Sequence, residues 1–255
     1  MAEPLLRIEK LTRRFGGIVA TDNLSLDVAD GELHAIIGPN GAGKTTLISQ
    51  LIGQLRPSGG TIHFAGDDIT HLPAWKRSHL GLARSFQITS LLPDFTAADN
   101  VALAAQACAG HSFRFFANAR REAPLRDAAR SALARVGLAD RADTLVSKLS
   151  HGEQRELELA VALATQPRLL LLDEPMAGLG ATESTRMVKL LAELRREVTI
   201  VLVEHDMNAV FALADRITVL VYGRVIASDV PAAIRVNEEV KRAYLGDQHV
   251  VTRHG

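Results

Sequence analysis

This chain has few cysteines and aromatic residues and no net charge, and these features narrow the classes of protein to which it can belong. One cysteine, Cys108, is present in 255 residues, so an internal disulfide is excluded and a reducing compartment is favoured. Aromatic residues make up 4% of the chain, so a cluster of them stands out. The formal net charge is zero, which argues against nucleic acid as a partner. No apolar run approaches the roughly 18 residues that span a bilayer, so any membrane connection is expected through a partner.

Processing signals, repeats and linkers are also missing. The N-terminus lacks the basic and apolar regions of a signal peptide. There is no internal repeat, low-complexity tract or Pro/Ser-rich linker. Hydrophobic residues make up 47% of the chain, which is ample for a core, so one α/β domain or one domain with a subdomain is expected.

One octapeptide indicates the ligand class. It reads Gly38, Pro39, Asn40, Gly41, Ala42, Gly43, Lys44, Thr45 and fits the nucleotide phosphate-loop pattern G-x-x-x-x-G-K-[ST]. An apolar run at 33–37 precedes it and reads as a buried parallel strand. Apolar residues at helical spacing follow over 45–55. Strand, glycine turn and helix together form the context that this motif requires.

The chemistry of the phosphate loop explains its residue types. Glycine lets the backbone adopt positive φ and approach phosphates closely. The N–H groups of Gly41, Gly43, Lys44 and Thr45 form an anion nest at the positive end of the following helix. Lys44 supplies a charge for the β- and γ-phosphates, and the Thr45 hydroxyl is a candidate ligand for Mg²⁺. We therefore expect the loop, with Thr46 beside it, to bind the phosphates of a nucleotide.

Strands and helices alternate along much of the chain. Strands are expected at 5–10, 24–28, 33–37, 60–64, 168–173, 198–203 and 216–220, and helices at 97–108, 120–137, 152–165, 181–196 and 206–213. This order predicts an α/β fold: a P-loop NTPase core with a mainly parallel sheet, an N-terminal antiparallel β part and a helical subdomain insertion. We assign 1–87 and 161–229 to the nucleotide-binding core, 88–160 to the helical subdomain and 230–255 to a tail of two short helices.

Two more apolar strands end in side chains that carry chemistry. Asp173 and Glu174 follow an all-leucine run, and a buried parallel strand delivers such residues to the ligand edge of its sheet. Asp173 is a candidate for holding Mg²⁺ through water, and Glu174 for the general base. His205 follows the strand at 198–203 and is a candidate γ-phosphate sensor, although a lone histidine there is more often structural. Gln87 is a further candidate for contact with Mg²⁺ and the attacking water.

These motifs stand in the order of an ABC-transporter ATP-binding subunit, and the chain resembles that family over nearly its whole length. By this resemblance Gln87 corresponds to the Q-loop glutamine that couples nucleotide to permease, and His205 to the switch histidine. Ser150-His151-Gly152 resembles the signature motif. Phe15 resembles the aromatic residue that stacks on adenine, with a core phenylalanine as the alternative.

The resemblance also implies a mechanism. Two Mg-ATP are sandwiched between two ATPase subunits, and each site takes Ser150 and Gly152 from the partner subunit. Hydrolysis at Glu174 reopens the pair, so the preference of ATP for the closed state drives the motion.

The sequence departs from the family at three positions. The usual signature is Leu-Ser-Gly-Gly-Gln, but His151 replaces the first glycine and Glu153 replaces the glutamine. His151 keeps its backbone N–H, whereas Glu153 accepts hydrogen bonds where an amide could donate. A carboxylate at a helix N-terminus is favourable, which offers a structural reason for Glu153. Gly180 stands where an aspartate is common in the D-loop.

Three stretches narrow the resemblance to one branch. Residues 14–20, residues 83–87 with 96–101, and residues 244–246 together resemble the larger ATPase subunit of branched-chain amino-acid importers. That branch implies transmembrane permease subunits, a second ATPase subunit and, indirectly, a substrate-binding protein. Heterodimer and homodimer both stay open. It also implies a peripheral position on the cytoplasmic face of the inner membrane. Leu/Ile/Val, other amino acids, amides and small aromatic acids all remain possible substrates.

Other functions stay open on the sequence alone. An ATPase of the same shape could drive lipid or lipopolysaccharide export. The tail from residue 230 is compatible with both an importer and an exporter. A soluble ABC ATPase acting on DNA or ribosomes usually joins two ATPase domains or carries long basic segments. A phosphate-loop kinase would leave residues 150–152 and His205 unexplained. The aromatic and basic segment at 111–121 is either a contact with the permease or membrane surface or a helix packed inside the subdomain.

Overall fold

The computed structural model describes residues 3–85, 91–108 and 123–248. The strands are β1 (Leu6–Phe15), β2 (Ile18–Val28), β3 (Leu33–Ile37), β4 (Gly59–Phe64), β5 (Asp67–Asp68), β6 (Leu82–Arg84), β7 (Leu169–Asp173), β8 (Thr199–Val203), β9 (Arg216–Val221) and β10 (Arg224–Asp229). The helices are α1 (Lys44–Leu51), α2 (Ala74–His79), α3 (Ala97–Cys108), α4 (Ala123–Arg135), α5 (His151–Leu163), α6 (Ala181–Leu194), α7 (Met207–Leu213), α8 (Pro231–Val236) and α9 (Glu238–Gln248). Short 3-10 helices lie at Ala139–Arg141 and Val146–Lys148. Two compact units result, one from residues 1–77 with 194–255 and one from residues 78–193.

The first unit contains an antiparallel sheet with strand order β2-β1-β4-β5. Both β1 and β2 are longer than predicted. Register shifts interrupt their pairing between Ile8 and Arg14, and Lys10 and Asn23 adopt positive φ. Such bulges break the two-residue alternation that a sequence pattern detects. The predicted antiparallel β part at the N-terminus is therefore confirmed, with underestimated lengths.

A second group of strands in the first unit is mainly parallel. β3 pairs in parallel with β8 on one side and β9 on the other, and β10 adds an antiparallel edge. All five residues of β3 and of β8 are buried, as expected for strands covered on both faces. Val210 of α7, Ile234 of α8 and Val240 of α9 pack on buried residues of β3 and β9, so α8 and α9 contribute to this core.

Helix α1 ends at Leu51, four residues before the predicted end. Gly53 has a φ of 77°, the left-handed conformation that terminates helices. The buried guanidinium of Arg77 then caps the end of α1. Its Nη1 donates to the carbonyls of Gln50 and Leu51 at 2.8 and 2.7 Å, and its Nε donates to Leu72 O at 2.9 Å. Burial lowers the pKa of Arg77 to about 10, so the group stays charged at neutral pH and opposes the negative end of the helix dipole.

The second unit combines the helices α3 to α6 with a parallel pair, β6 and β7. Leu82 pairs with Leu169, and Ser85 N–H donates to Leu171 O at 3.0 Å. Helix α3 occupies the predicted span, and α4 and α5 begin and end within three residues of theirs. β6 was missed because three residues are too few for a periodic signal.

The predicted fold class is confirmed by this architecture. The boundaries proposed for the helical subdomain, 88–160, stay a prediction. In the described part of the chain no helix is both long and apolar enough to cross a membrane.

Candidate functional site

The phosphate loop joins β3 to α1 through glycines in conformations that other residues avoid. Gly38, Gly41 and Gly43 have φ values of 154°, 77° and 100°. A Cβ placed on Gly38 would lie 2.1 Å from Leu220 O, and one on Gly43 would lie 2.3 Å from Ala20 O. Glycine is therefore required at these two positions both for conformation and for space.

The start of α1 is open to a ligand. Among the described residues no side chain caps its first turn, where Gly43 is the N-cap residue. The N–H groups of a first turn have no partner within the helix, and they carry the positive end of its dipole. Thr45, in this turn, is exposed. This geometry suits a phosphate group.

Lys44 lies over the loop itself. Its Nζ donates to Gly38 O at 2.5 Å and to Pro39 O at 3.0 Å, and the side chain is partly buried. Because both acceptors belong to the loop, the ammonium group is held above it. A phosphate oxygen bound there would be a stronger, charged acceptor for the same donor.

His205 lies at the same sheet edge as the phosphate loop. The register pairs Ile36 of β3 with Val203 of β8, so the residues that follow each strand emerge together. The ring of His205 is 67% exposed, and its Nδ1 is 3.7 Å from Glu204 Oε2. Glu204 is itself buried and accepts hydrogen bonds from the N–H groups of His205 and Asp206 at 2.8 and 3.2 Å. Glu204 thus shapes the turn that presents His205.

Phe15 ends β1 at the tip of the hairpin with β2. The residue is 46% exposed, and the Arg13 guanidinium carbon lies 4.7 Å from its ring centroid. β2 also carries Ala20, which contacts Gly43. The exposed ring is thus not a core residue, and it belongs to a hairpin that touches the phosphate loop.

In the second unit, two carboxylates lie at the C-terminal end of β7: Asp173 is its last residue and Glu174 follows it. Asp173 is buried and its Oδ2 accepts a hydrogen bond from Arg84 Nη2 at 2.9 Å. Glu174 has a φ of 51°, which is unusual for a residue with a side chain. Backbone strain of this kind concentrates at functional sites. Parallel pairing of β6 with β7 explains why Arg84 and Asp173 meet.

The signature segment begins α5 with a capping box. Ser150 Oγ accepts from Glu153 N–H at 3.2 Å, and Glu153 Oε2 accepts from Ser150 N–H at 2.8 Å. The other oxygen, Oε1, accepts from Arg141 Nε at 2.9 Å. The structure therefore gives Glu153 the role of a helix cap, as the expected effect of the helix dipole suggested.

The start of α6 lies beside residues 150–152. A Cβ on Gly152 would meet Glu183 Oε1 at 2.6 Å, so the absence of a side chain there lets this carboxylate approach. Glu183 Oε2 also accepts from Gly180 N–H at 3.1 Å at the start of α6. Gly178 lies close to the ring of His151.

Three carboxylates on α5 have shifted pKa values. Hydrogen bonding to the Ser150 N–H, opposed by burial and helped by Arg141, lowers the pKa of Glu153. Burial raises the pKa of Glu156 and of Glu158, although Arg186 and Arg155 respectively pair with them at 2.5 and 2.9 Å. One helix thus presents both ionised and protonation-prone carboxylates.

The predicted site residues fall into three groups. The phosphate loop, His205 and Phe15 are brought together in the first unit. The second unit contains the other two groups. One is Asp173 with Glu174, and the other is Ser150 with Gly152. Gln87 and the segment 111–121 lie outside the described residues. Arg84, Arg141 and Glu204 were not predicted, because their partners are distant in sequence or, for Glu204, belong to the backbone.

Comparisons with known proteins give a consistent result. A family model described as "ABC transporter" matches residues 21–177, and one described as "Branched-chain amino acid ATP-binding cassette transporter" matches residues 224–250. The high-affinity branched-chain amino acid transport ATP-binding protein LivG of Salmonella typhimurium is 39% identical over 254 residues, covering 97% of this chain and 100% of its own. The corresponding protein BraF of Pseudomonas aeruginosa is 38% identical with the same coverage. The crystal structure of the ADP conformation of MJ1267, an ATP-binding cassette of an ABC transporter, matches with a TM-score of 0.86 and 29% identity, covering 96% of this chain and 100% of its own.

Proposed function

We propose that this chain, which belongs to the ABC transporter family of ATP-binding proteins, hydrolyses ATP to power the import of branched-chain amino acids through separate permease subunits. The observation that carries the proposal is the phosphate loop: three glycines with positive φ lead into a helix whose first turn has no side-chain cap among the described residues. That arrangement suits anionic groups such as phosphates.

The residues of the loop and of the strand ends divide the hydrolytic chemistry. Residues 38–46 bind the phosphates, with Lys44 as the charge on the β- and γ-phosphates. Glu174 is the general base that activates the attacking water. His205 contacts the γ-phosphate, and Gln87 contacts the metal and the water. Phe15 offers adenine the ring face opposite Arg13.

The donor set fits Mg²⁺. Thr45 offers a hydroxyl, Asp173 a carboxylate and Gln87 an amide oxygen, and hard divalent cations prefer such oxygen ligands. When bound, Mg²⁺ neutralises the charge that develops on the phosphates. Arg84 Nη2 holds Asp173 in place by a 2.9 Å hydrogen bond to Oδ2.

The site is completed by a second ATPase subunit. Ser150 and Gly152 contact the γ-phosphate bound on the partner subunit, and the partner's own signature segment contacts the ATP on this chain. A heterodimer is favoured, as in importers with two different ATPases. Closure follows because ATP binds the closed pair better than the open one.

The substrate class rests on relatives and on the tail. LivG and BraF are branched-chain amino acid transport proteins by name, and residues 224–250 match the model of that transporter family. The match in this tail favours import over lipid export. We place the chain on the cytoplasmic face of the membrane, attached through permease subunits, with a substrate-binding protein acting on the other side.

Partner capture tests this proposal. A tagged chain carrying Glu174→Gln is isolated from detergent-solubilised membranes in Mg-ATP, with Glu193→Gln, an exposed carboxylate on α6, as the matched control. Two different multi-spanning permeases and a second ATPase are expected with both chains, and ATP-stabilised association is expected to be stronger with Glu174→Gln. The purified assembly should take up leucine in an ATP-dependent manner.

Other outcomes would contradict specific parts of the proposal. One permease pair with a homodimer of this chain, and no leucine uptake, would favour export. Ribosomal or DNA-bound material without membrane proteins would overturn transport.

A further inference from the structure

A negative charge is fixed inside the segment that we propose for γ-phosphate contact. The Glu153 carboxylate bonds to the N–H of Ser150 at 2.8 Å. This hydrogen bond lowers the pKa of Glu153, so the carboxylate is ionised at neutral pH. An anion that approaches Ser150 is therefore repelled by it.

Two more carboxylates surround the same segment. Glu183 lies against Gly152, and the charges of Glu153 and Glu183 both act on Glu156. One residue, Arg186, pairs with Glu156 at 2.5 Å. The signature segment therefore needs further positive charge before it suits a polyphosphate.

Arg141 supplies that charge next to Glu153. Its Nε donates to Glu153 Oε1 at 2.9 Å, and the side chain is 55% exposed. The backbone around it is held in place: Thr144 N–H donates to Arg141 O at 2.9 Å, and Ala98 N–H of α3 donates to Ala142 O at 2.9 Å. The guanidinium is thus attached to a fixed turn rather than to a free loop.

We propose that Arg141 is a positioning residue of the signature segment, which pairs with Glu153 and screens its charge so that this segment accepts the γ-phosphate of the partner subunit's ATP. The inference rests on the proposed function, because it presupposes that Ser150 and Gly152 contact nucleotide. Exposed ion pairs contribute little to folding stability. The effect of Arg141 is therefore expected on ATP turnover.

A double-mutant cycle in the purified transporter assembly tests the pairing. ATP turnover is measured for the unaltered chain, Arg141→Leu, Glu153→Gln and the double variant. Arg141→Leu is expected to lower kcat/KM for ATP by about 10-fold or more, since like charges then face each other. Glu153→Gln removes the carboxylate that Arg141 is proposed to screen but can still complete a capping box, so its kcat/KM is the reference for the double variant. The double variant should recover to within about 2-fold of Glu153→Gln.

Matched controls separate charge from structure. Arg141→Lys, which keeps the charge, should retain most of the turnover, and Arg126→Leu, at an exposed arginine of α4, should leave it unchanged. Arg141→Gln replaces Arg141→Leu if the latter does not assemble. Thermal unfolding midpoints of all variants are compared.

Two results would overturn the inference while leaving the proposed function intact. The first is an unchanged kcat/KM in Arg141→Leu. The second is a double variant whose kcat/KM is as low as that of Arg141→Leu, because the loss would then not come from the Glu153 carboxylate. An unaltered assembly without ATP turnover would instead refute the proposed function, and this inference with it.

Discussion

At the scale of one residue, the phosphate loop holds the ammonium group of Lys44 in position for a phosphate. Its ammonium group rests on the carbonyls of Gly38 and Pro39 and can exchange these for phosphate oxygens. Lys44→Ala should weaken ATP binding about 100-fold, roughly 3 kcal/mol, the loss expected for a charged hydrogen bond. Equilibrium titration with a fluorescent ATP analogue measures this, with Lys76→Ala on α2 as the control. Unchanged affinity in Lys44→Ala would refute the assignment of the loop.

Gly43 combines a left-handed backbone with a close neighbour. A Cβ there would lie 2.3 Å from Ala20 O, whereas at Gly31, with a similar positive φ of 76°, it would meet nothing within 4 Å. Gly43→Ala should therefore lower the free energy of unfolding by about 2–4 kcal/mol, from strain plus overpacking. Gly31→Ala should lower it by about 1 kcal/mol, from strain alone. Urea unfolding compares the two, and equal losses would mean that the contact with Ala20 does not matter.

The local sequence predicted these residues well where one motif contains all the information. Gly38, Gly43 and Lys44 are consecutive parts of one pattern, and their conformations agree with it. The role of Arg84 could not be predicted in this way, because its hydrogen-bond partner Asp173 is 89 positions away in the sequence. Only the pairing of β6 with β7 brings them together.

At the scale of one element, α5 carries carboxylates whose pKa values are shifted in opposite directions. Glu153, with a lowered pKa, contributes stability above its unfolded pKa of 4.5 that is lost as the pH falls through the folded pKa. Glu158, with a raised pKa, contributes stability below 4.5 that is lost as the pH rises through the folded pKa.

Opposite effects of two matched substitutions follow. At neutral pH, Glu158→Gln should raise the free energy of unfolding and Glu153→Gln should lower it. The Glu158→Gln difference should shrink as the pH falls from about 7.5 to about 4.5, because Glu158, with its raised pKa, becomes protonated in that range. The Glu153→Gln difference should persist down to about 4.5 and shrink only at lower pH, because the pKa of Glu153 is lowered. Urea unfolding across this range is the measurement. Parallel pH profiles for the two variants would contradict the assignment.

Elements differ in how far the sequence predicted them. Helix α3 and the buried strands β3, β7 and β8 have strong, uninterrupted patterns and lie close to the expected spans. β1 and β2 were predicted too short because bulges interrupt their alternation. The end of α1 depends on Gly53 and on Arg77, which comes from another helix, so helical periodicity alone placed it too late.

At the scale of the whole molecule, the prediction concerns association. Glu174→Gln removes the general base but keeps the residue's size, so ATP should bind and remain intact. Since ATP favours the closed pair, this variant should accumulate as an ATP-bound pair with the captured second ATPase, or with itself if no second ATPase exists. Light scattering with Mg-ATP measures this, and Glu193→Gln serves as the control. A Glu174→Gln chain that stays monomeric with Mg-ATP and its ATPase partner would rule out the sandwich arrangement.

The sequence by itself determined the family, the ligand class and the α/β alternation, because the phosphate loop and the buried strands are short, contiguous signals whose chemistry is local. The tertiary structure decided what those signals meet. It pairs the capping residue Glu153 with Arg141 and Asp173 with Arg84. It also brings the Glu204 carboxylate to the N–H of His205 and Ala20 close to Gly43. Most of these contacts join residues far apart in the chain, and folding alone brings such partners within bonding distance.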